Sequence, residues 1–263
     1  MRSEVSLPNF NAVAAMLTGA KVFELGGWTI HELDAVNSTN LVAGTLPVWH
    51  ALRAETQTAG RGRFERPWIS DRGGLWLSAV VPAPSVASAK EGLPLVAGLA
   101  VCTALTEFGI KALRLRWPND VLVHDRKLAG VLVDQFVPDR FVIGIGLNVN
   151  NRPEVHDVKL RNHTARLAES LQSIPPLTKI IEVMLAWLHR LIVELNDHGF
   201  VSMQPRINML WGKSRRVELA LDSAAVCGVF SGVDEHGRLL LCDDAGAIVA
   251  YNAAQVRHLQ EIE

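Results

Sequence analysis

Little in this sequence is in excess, and each shortage excludes something. Across 263 residues, 26 lysines and arginines face 27 acidic residues, a formal net charge of -1. Without a positive surplus, a DNA-binding surface held by phosphate neutralisation is not expected. The three cysteines, Cys102, Cys227 and Cys242, form no Cys-x-x-Cys pair, and the nine histidines are scattered. Zinc spacing and a disulfide framework are therefore both missing, which predicts a reducing compartment. No run reaches the ~18 apolar residues of a membrane span, and Met1 to Ala20 lacks the pattern of a secretory leader. The expectation is a cytoplasmic chain without a membrane partner. Internal repeats, low-complexity tracts and a Walker loop are also absent.

What is present organises into two unequal parts. Residues 1–22 read as a weakly helical lead from Asn9 to Leu17. Trp28 to Leu33 alternates like a strand, and Ser38-Thr39-Asn40 offers a helix N-cap. Leu52 to Glu55 and Leu75 to Val81 read as strands on either side of a glycine- and arginine-rich loop, Gln57 to Gly74. Leu93 to Phe108 has helical spacing with Gly109 as its stop. Four β-type segments follow at Leu113–Trp117, Val121–His124, Leu128–Phe136 and Phe141–Leu147, separated by turn residues. Connections this short predict antiparallel pairing. Leu177 to Leu195 is the strongest amphipathic helix. After Trp211-Gly212-Lys213 come strands at Val217–Leu221, Ala225–Val233, Leu239–Cys242 and Ala247–Tyr251. The reading is an α+β domain over 23–212 with a small β module over 213–263.

Three stretches carry chemistry. In Gln57-Thr58-Ala59-Gly60-Arg61-Gly62-Arg63, followed by Arg66, glycines let backbone approach a ligand while forked guanidiniums suit phosphate or carboxylate. A solvated surface turn is the plain alternative. Asn119 and Asp120 sit between apolar strands, as partners for a ligand or as an Asx-type turn. Lys127 stands at the mouth of an apolar strand, where it either snorkels or aims a point charge at an anion. Gly144-Ile145-Gly146-Leu147-Asn148 lacks the third glycine of a dinucleotide fingerprint but suits a strand that admits a ligand.

The order of these motifs resembles the biotin protein ligase family. The resemblance runs through Ser38-Thr39-Asn40, Gln57-x-Ala59-Gly60-Arg61-Gly62-Arg63, Arg66-x-Trp68, Trp117-Pro118-Asn119-Asp120, Lys127-Leu128-Ala129-Gly130 and Gly144-x-Gly146-x-Asn148. It covers roughly residues 28–150, while Gly228, Gly232-Val233-Asp234 and Gly237-x-Leu239 fit that family's SH3-like C-terminal domain. It implies a mixed or antiparallel sheet of the biotin/lipoate ligase type, similar to class II aminoacyl-tRNA synthetases. It also implies ATP-dependent attachment of biotin to a lysine of a carboxylase carrier domain through biotinyl-5′-adenylate, with Mg²⁺ accompanying ATP and no permanently bound cofactor.

By resemblance, Ser38, Thr39, Asn40, Gln57 and the backbone of Arg61, Gly62 and Arg63 hold biotin, with Gly130 and Gly146 making room on the sheet. Lys127 holds the biotin carboxyl and α-phosphate, and Arg63, Arg66, Trp68, Asn119 and Asn148 belong to the nucleotide side. Lys127, Arg63 and Asp120 are the catalytic candidates, Asp120 acting through Mg²⁺ or on the incoming lysine. The loop departs from the family pattern at Glu65, in place of a glycine, and at Pro67, so a left-handed backbone at position 65 is not expected. A homodimer through an exposed edge at Phe141–Leu147 is also implied. Alternatives are a lipoate or octanoate ligase or transferase, a biotin-responsive repressor and a non-catalytic binding module. Residues 1–22 are too few for the repressors' winged helix.

Overall fold

The computed structural model describes residues 10–151, 163–212 and 214–262. Residues 1–9 of the lead, and Lys213 at the expected boundary, lie outside them. The lead contributes α1 (Phe10–Leu17), one residue from the expected helix. The strands of the larger sheet are β1 (Lys21–Leu25), β2 (Trp28–Val36), β3 (His50–Gln57), β4 (Leu75–Pro82), β5 (Leu113–Arg116), β6 (Asp120–Val123), β7 (Arg126–Val137) and β8 (Arg140–Leu147). They lie in the order β1-β2-β3-β4-β8-β7-β6-β5. All neighbours are antiparallel except β2 and β3, which run parallel because α2 (Thr39–Ala43) lies in the crossover between them. The four segments from 113 to 147 pair antiparallel as their short turns require.

Strand alternation gives the sheet two different faces. Leu75, Leu77, Ala79, Ile143, Ile145 and Leu147 point into the main core, against α3 (Leu93–Glu107) and α4 (Leu177–His198). Helix α3 is buried around nearly its whole circumference, which explains its poor amphipathicity. Together with the turn before it, Ala89–Glu107 is long and apolar enough to span a membrane by composition, contrary to expectation, yet most of it is buried inside the protein. The opposite face packs Leu52, Ala54, Val80 and Val142 against Val42, Ala43 and Leu46 of the α2 segment, with Met16 and Leu17 of α1 alongside.

One expectation is overturned. Strand β8 is hydrogen-bonded on both sides, to β4 and to β7, so Phe141–Leu147 offers no edge for a dimer. The edges of this sheet are β1 and β5.

Helix α5 (Gln204–Trp211) leads into a second, wholly antiparallel sheet of β9 (Arg216–Ala220), β10 (Ala225–Val233), β11 (Leu239–Cys242), β12 (Ile248–Tyr251) and β13 (His258–Ile262), in the order β12-β11-β10-β9-β13. Stacking of Trp211 on Phe230, ring centroids 3.7 Å apart, joins it to the main core. Arg114 of β5 closes the junction: its Nε donates to Asp125 at 2.8 Å and its Nη2 to both Glu261 oxygens at 2.7 and 2.9 Å. Trp117 Nε1 donates to the Gly237 carbonyl at 3.0 Å.

Because Arg114 is buried and Glu261 loses its bidentate partner while keeping Arg215 at 3.2 Å, Arg114→Ala should cost about 2 kcal/mol. Chemical denaturation of the two proteins measures this, and a difference below about 1 kcal/mol would remove the junction from the account.

Candidate active site

Cross-strand register builds the floor of the site. One row runs Trp76–Gly146–Gly130–Asp120 across β4, β8, β7 and β6, and the next runs Ser78–Gly144–Leu132. Directly paired residues share a face, so all seven point away from the main core. Small residues at the centre of both rows leave a trough. Above it opens a cavity of about 400 Å³ whose wall includes Thr39, Asn40, Gln57, Trp68, Asn119, Lys127 and Asn148. The indole of Trp68 lies over Gly130 and Gly146; a Cβ at 146 would come within 2.6 Å of Trp68 Nε1. A Cβ at 144 would meet Asn40 Oδ1 at 2.3 Å.

One end of the cavity is lined by hydrogen-bonded neutral side chains. Gln57 Oε1 accepts from Thr39 N at 2.8 Å and lies 3.0 Å from Thr39 Oγ1. Gln57 Nε2 donates to Ser70 Oγ at 2.8 Å, and Ser70 donates to the Trp68 carbonyl at 3.1 Å. Behind the wall, the fully buried Ser78 Oγ is 2.7 Å from Thr39 Oγ1 and 2.6 Å from Asn40 Oδ1. Asn40 Nδ2 donates to Asp134 at 2.8 Å. Burial pushes the Asp134 carboxyl above its ordinary value, against the Asn40 hydrogen bond and the Arg61 charge.

The other end is cationic. Arg63, Arg66, Arg116, Lys127 and Arg257 line it, with Asp120 the carboxylate among them, while Arg61, also on the wall, sits by Asp134 with Nη2 4.0 Å from its carboxylate. Both Asp120 oxygens are engaged, with Lys127 Nζ at 2.6 Å and Arg116 Nη2 at 2.8 Å. Burial alone would raise this carboxyl, but the two cations hold it below its usual range. Lys127 Nζ also stands 5.0 Å from the Trp68 ring centroid. Burial first, then the charges of Arg66 and Arg116, depress His258 on the same wall, favouring its neutral form. So dense a positive wall suits an anion with several oxygens.

The glycine-arginine loop folds into a narrow hairpin. Gly62 N donates to the Arg66 carbonyl at 2.7 Å and Trp68 N to the Gly60 carbonyl at 2.9 Å, with Pro67 opposite Arg61. Its tip departs from expectation: Phe64 and Glu65 both adopt the left-handed region, at φ 57° and 56°. The cost, about 1–2 kcal/mol per residue, is offset by contacts. Arg61 Nη1 holds Glu65 at 3.1 and 3.2 Å, and the Phe64 ring takes the Arg63 and Arg257 guanidiniums at 4.8 and 4.4 Å. Arg63 donates to the carbonyls of Ala253 and, at 2.9 Å, Val256, and Arg66 donates to the carbonyl of Arg257 at 3.1 Å. Burial, with Arg66 and Arg257 nearby, pulls Arg63 down to about 10.

Most of the expected site residues line this one cavity. Ser38 does not: it is buried at the N-cap of α2 without a side-chain capping bond. Asn119 spends its Nδ2 on the Val131 carbonyl at 2.7 Å, and the Asn148 oxygen accepts from Asn151 at 3.0 Å. Sequence reasoning missed Arg116, Ser78, Asp134 and the C-terminal Arg257 and His258. Ser78 and Asp134 had a signal, being polar at even spacing from Trp76 and Gly130 in apolar strands. The last two had none, because the second sheet brings them in from 190 residues away in sequence.

Replacing Arg63 with alanine removes two of the three guanidinium bonds that dock the hairpin. Tryptic cleavage after Arg61 should accelerate about tenfold, since such bonds contribute about 1.5–3 kcal/mol. Cleavage at the wild-type rate would show that the docking holds nothing.

The Biotin/lipoate A/B protein ligase family model matches residues 35–150. The chain is 36% identical over 221 residues to the biotin–[acetyl-CoA-carboxylase] ligase of Mycobacterium tuberculosis, covering 80% of this chain and 79% of that protein. It is 32% identical over 235 residues to the bifunctional ligase/repressor BirA of Escherichia coli, covering 84% and 71%. Among solved structures, a biotin protein ligase from Aquifex aeolicus in complex with biotin and ATP superposes with a TM-score of 0.77 at 28% identity, over 89% of this chain and 99% of that one. With the two-sheet α+β fold and the expected motifs gathered around one cavity, the chain belongs to the biotin protein ligase family.

Proposed function

We propose that this protein attaches biotin to a lysine of a biotin carboxyl carrier domain at the expense of ATP. A carboxylate oxygen of biotin attacks the α-phosphorus, the bond to the β-phosphate oxygen breaks, and pyrophosphate leaves. The carrier lysine, as free amine, then attacks the acyl carbon of the biotinyl-adenylate; AMP leaves and the nitrogen loses a proton. The observation that carries this reading is the division of one cavity into a neutral end at Thr39 and Gln57 and a cationic end at Lys127, Arg116 and Arg66. A bicyclic ureido head has N–H and C=O groups but no charge, whereas its carboxylate tail must meet a polyphosphate. Lipoate carries no ureido group for the neutral end to satisfy, which disfavours that alternative.

In this reading Lys127 lies where carboxylate and α-phosphate oxygens meet, and offsets the charge accumulating on phosphorus. Asp120 positions Lys127, since a 2.6 Å ion pair restrains an otherwise flexible ammonium. Mg²⁺ arrives with ATP and screens the phosphates. With both oxygens on cations, Asp120 does not fit as its ligand, and no cluster of three or more metal-ligating side chains occurs among the described residues. Trp68 covers the trough over Gly130 and Gly146 and keeps water from the mixed anhydride. Arg63 and Arg66 tie the hairpin to the second sheet and place it over the phosphate end. We place the protein in the cytoplasm, where carboxylases and ATP are found, with neither DNA nor membrane as partner; its near-zero net charge supports this.

Incubation with biotin, ATP and a carrier domain should add one biotinyl group to the carrier lysine, seen as a mass shift that disappears without ATP. A carrier that stays unmodified would overturn the reading. Lys127→Ala should slow biotin-dependent pyrophosphate release about a hundredfold or more in a protein that still folds, with Arg116 left to pair with Asp120. Wild-type pyrophosphate release from that folded variant would contradict the role of Lys127.

A further inference from the structure

Behind the neutral end, two residues that do not line the cavity decide which of its atoms donate and which accept. Protons can be counted along the chain of contacts from one end. An ionised Asp134 only accepts, so the Asn40 amide must turn its Nδ2 toward it, 2.8 Å away, and its Oδ1 toward Ser78. The single Ser78 hydroxyl hydrogen then goes to Asn40 Oδ1 at 2.6 Å. Thr39 Oγ1, 2.7 Å from Ser78 Oγ and 3.0 Å from Gln57 Oε1, then has one hydroxyl hydrogen for both neighbours.

The other end is equally determined. The Trp68 carbonyl only accepts, so Ser70 donates to it, accepts from Gln57 Nε2, and thereby turns Gln57 Oε1 toward Thr39. The two chains meet at Thr39 Oγ1 and Gln57 Oε1, 3.0 Å apart; Thr39 can donate across that gap only by leaving Ser78 Oγ without a donor, so the row is one hydrogen short. Both lie on the cavity wall. Such a row carries one repulsive oxygen pair when empty, and an N–H donor arriving at Thr39 or Gln57 relieves it.

We infer that Asp134, acting through Asn40 and Ser78, sets the acceptor polarity of the ureido pocket and so selects acids that present N–H donors. This rests on the function proposed above and names the residues that give its neutral end its specificity. Asp134 and Ser78 are positioning residues, and neither touches the ligand. Gly144 belongs to the same device, since a side chain there would displace the Asn40 oxygen that Ser78 serves. With an amide at position 134, which both donates and accepts, only the long 3.4 Å bond to the Leu132 carbonyl still opposes reversal of Asn40. Its Nδ2 then donates to Ser78, Ser78 to Thr39, and Thr39 to Gln57 Oε1, leaving the acceptor pair masked.

The test compares wild type with Asp134→Asn and Ser78→Ala in biotin-dependent pyrophosphate release, using biotin and a biotin derivative methylated on a ureido nitrogen. Each variant should raise the KM for biotin about tenfold while kcat and the KM for ATP stay within about twofold. The preference of the wild type for biotin over the methylated derivative, about a hundredfold, should shrink to below tenfold in Asp134→Asn. The double variant should be no worse than the worse single one, because both break one chain. A folded variant with an unchanged KM and undiminished discrimination would overturn the inference, as would lost kcat with an unchanged KM. Should Asp134→Asn not fold, Ser78→Ala decides alone. A wild-type protein that releases no pyrophosphate with biotin would instead overturn the proposed function.

Discussion

The register of β4, β8 and β7 is the constraint on which everything else depends. Because side chains alternate with period two, a slip of one residue would exchange the two faces. Ser78, Gly144 and Gly146 would turn into the main core, while Leu77, Ile143 and Ile145 would fill the trough. Register is enforced from the apolar side: exposing that many branched side chains would cost far more than the polar row contributes. The site thus inherits its geometry from a core that does no chemistry. That division lets Gly130 and Gly146 be chosen for the indole above them rather than for sheet stability.

The second sheet completes the site. It reaches the cavity with Arg257 and His258, and its carbonyls at Ala253, Val256 and Arg257 receive the guanidiniums of the hairpin. Arg114 and Trp117 fasten the same two parts from the β5–β6 side. The catalytic cavity is therefore closed by a contact between distant segments of the chain. Left-handed Phe64 and Glu65 are tolerated because that contact over-determines them.

Much of this was legible beforehand, for identifiable reasons. Strands from 113 to 147 announced themselves by apolar runs broken at Pro-Asn-Asp and Asp-Arg-Lys, and their short turns left only antiparallel pairing. Strands β1 and β13 were missed, because they are five-residue edge strands with a single buried residue, Leu259, between them. The parallel pairing of β2 with β3, and the interior place of β8, follow from sheet order, to which a single strand's pattern is blind. Within the site, Lys127 and the glycine-arginine loop stood out by composition. Asp120 read as a metal or acid-base group because its two cationic partners could not be placed from spacing alone. Glu65 shows the limit of conformational preference, since an ion pair and a ring sandwich outweigh a cost of about 1–2 kcal/mol per residue.

The central claim is that one cavity has a neutral, acceptor-lined end for the ureido head and a cationic end for the phosphates. A crystal structure with biotin and a non-hydrolysable ATP analogue tests it most directly. The account requires a ureido N–H within hydrogen-bonding distance of Thr39 Oγ1 or Gln57 Oε1, and the biotin carboxylate and α-phosphate both within reach of Lys127 Nζ. Biotin bound in the opposite direction, or with its ureido ring away from Thr39 and Gln57, would contradict it.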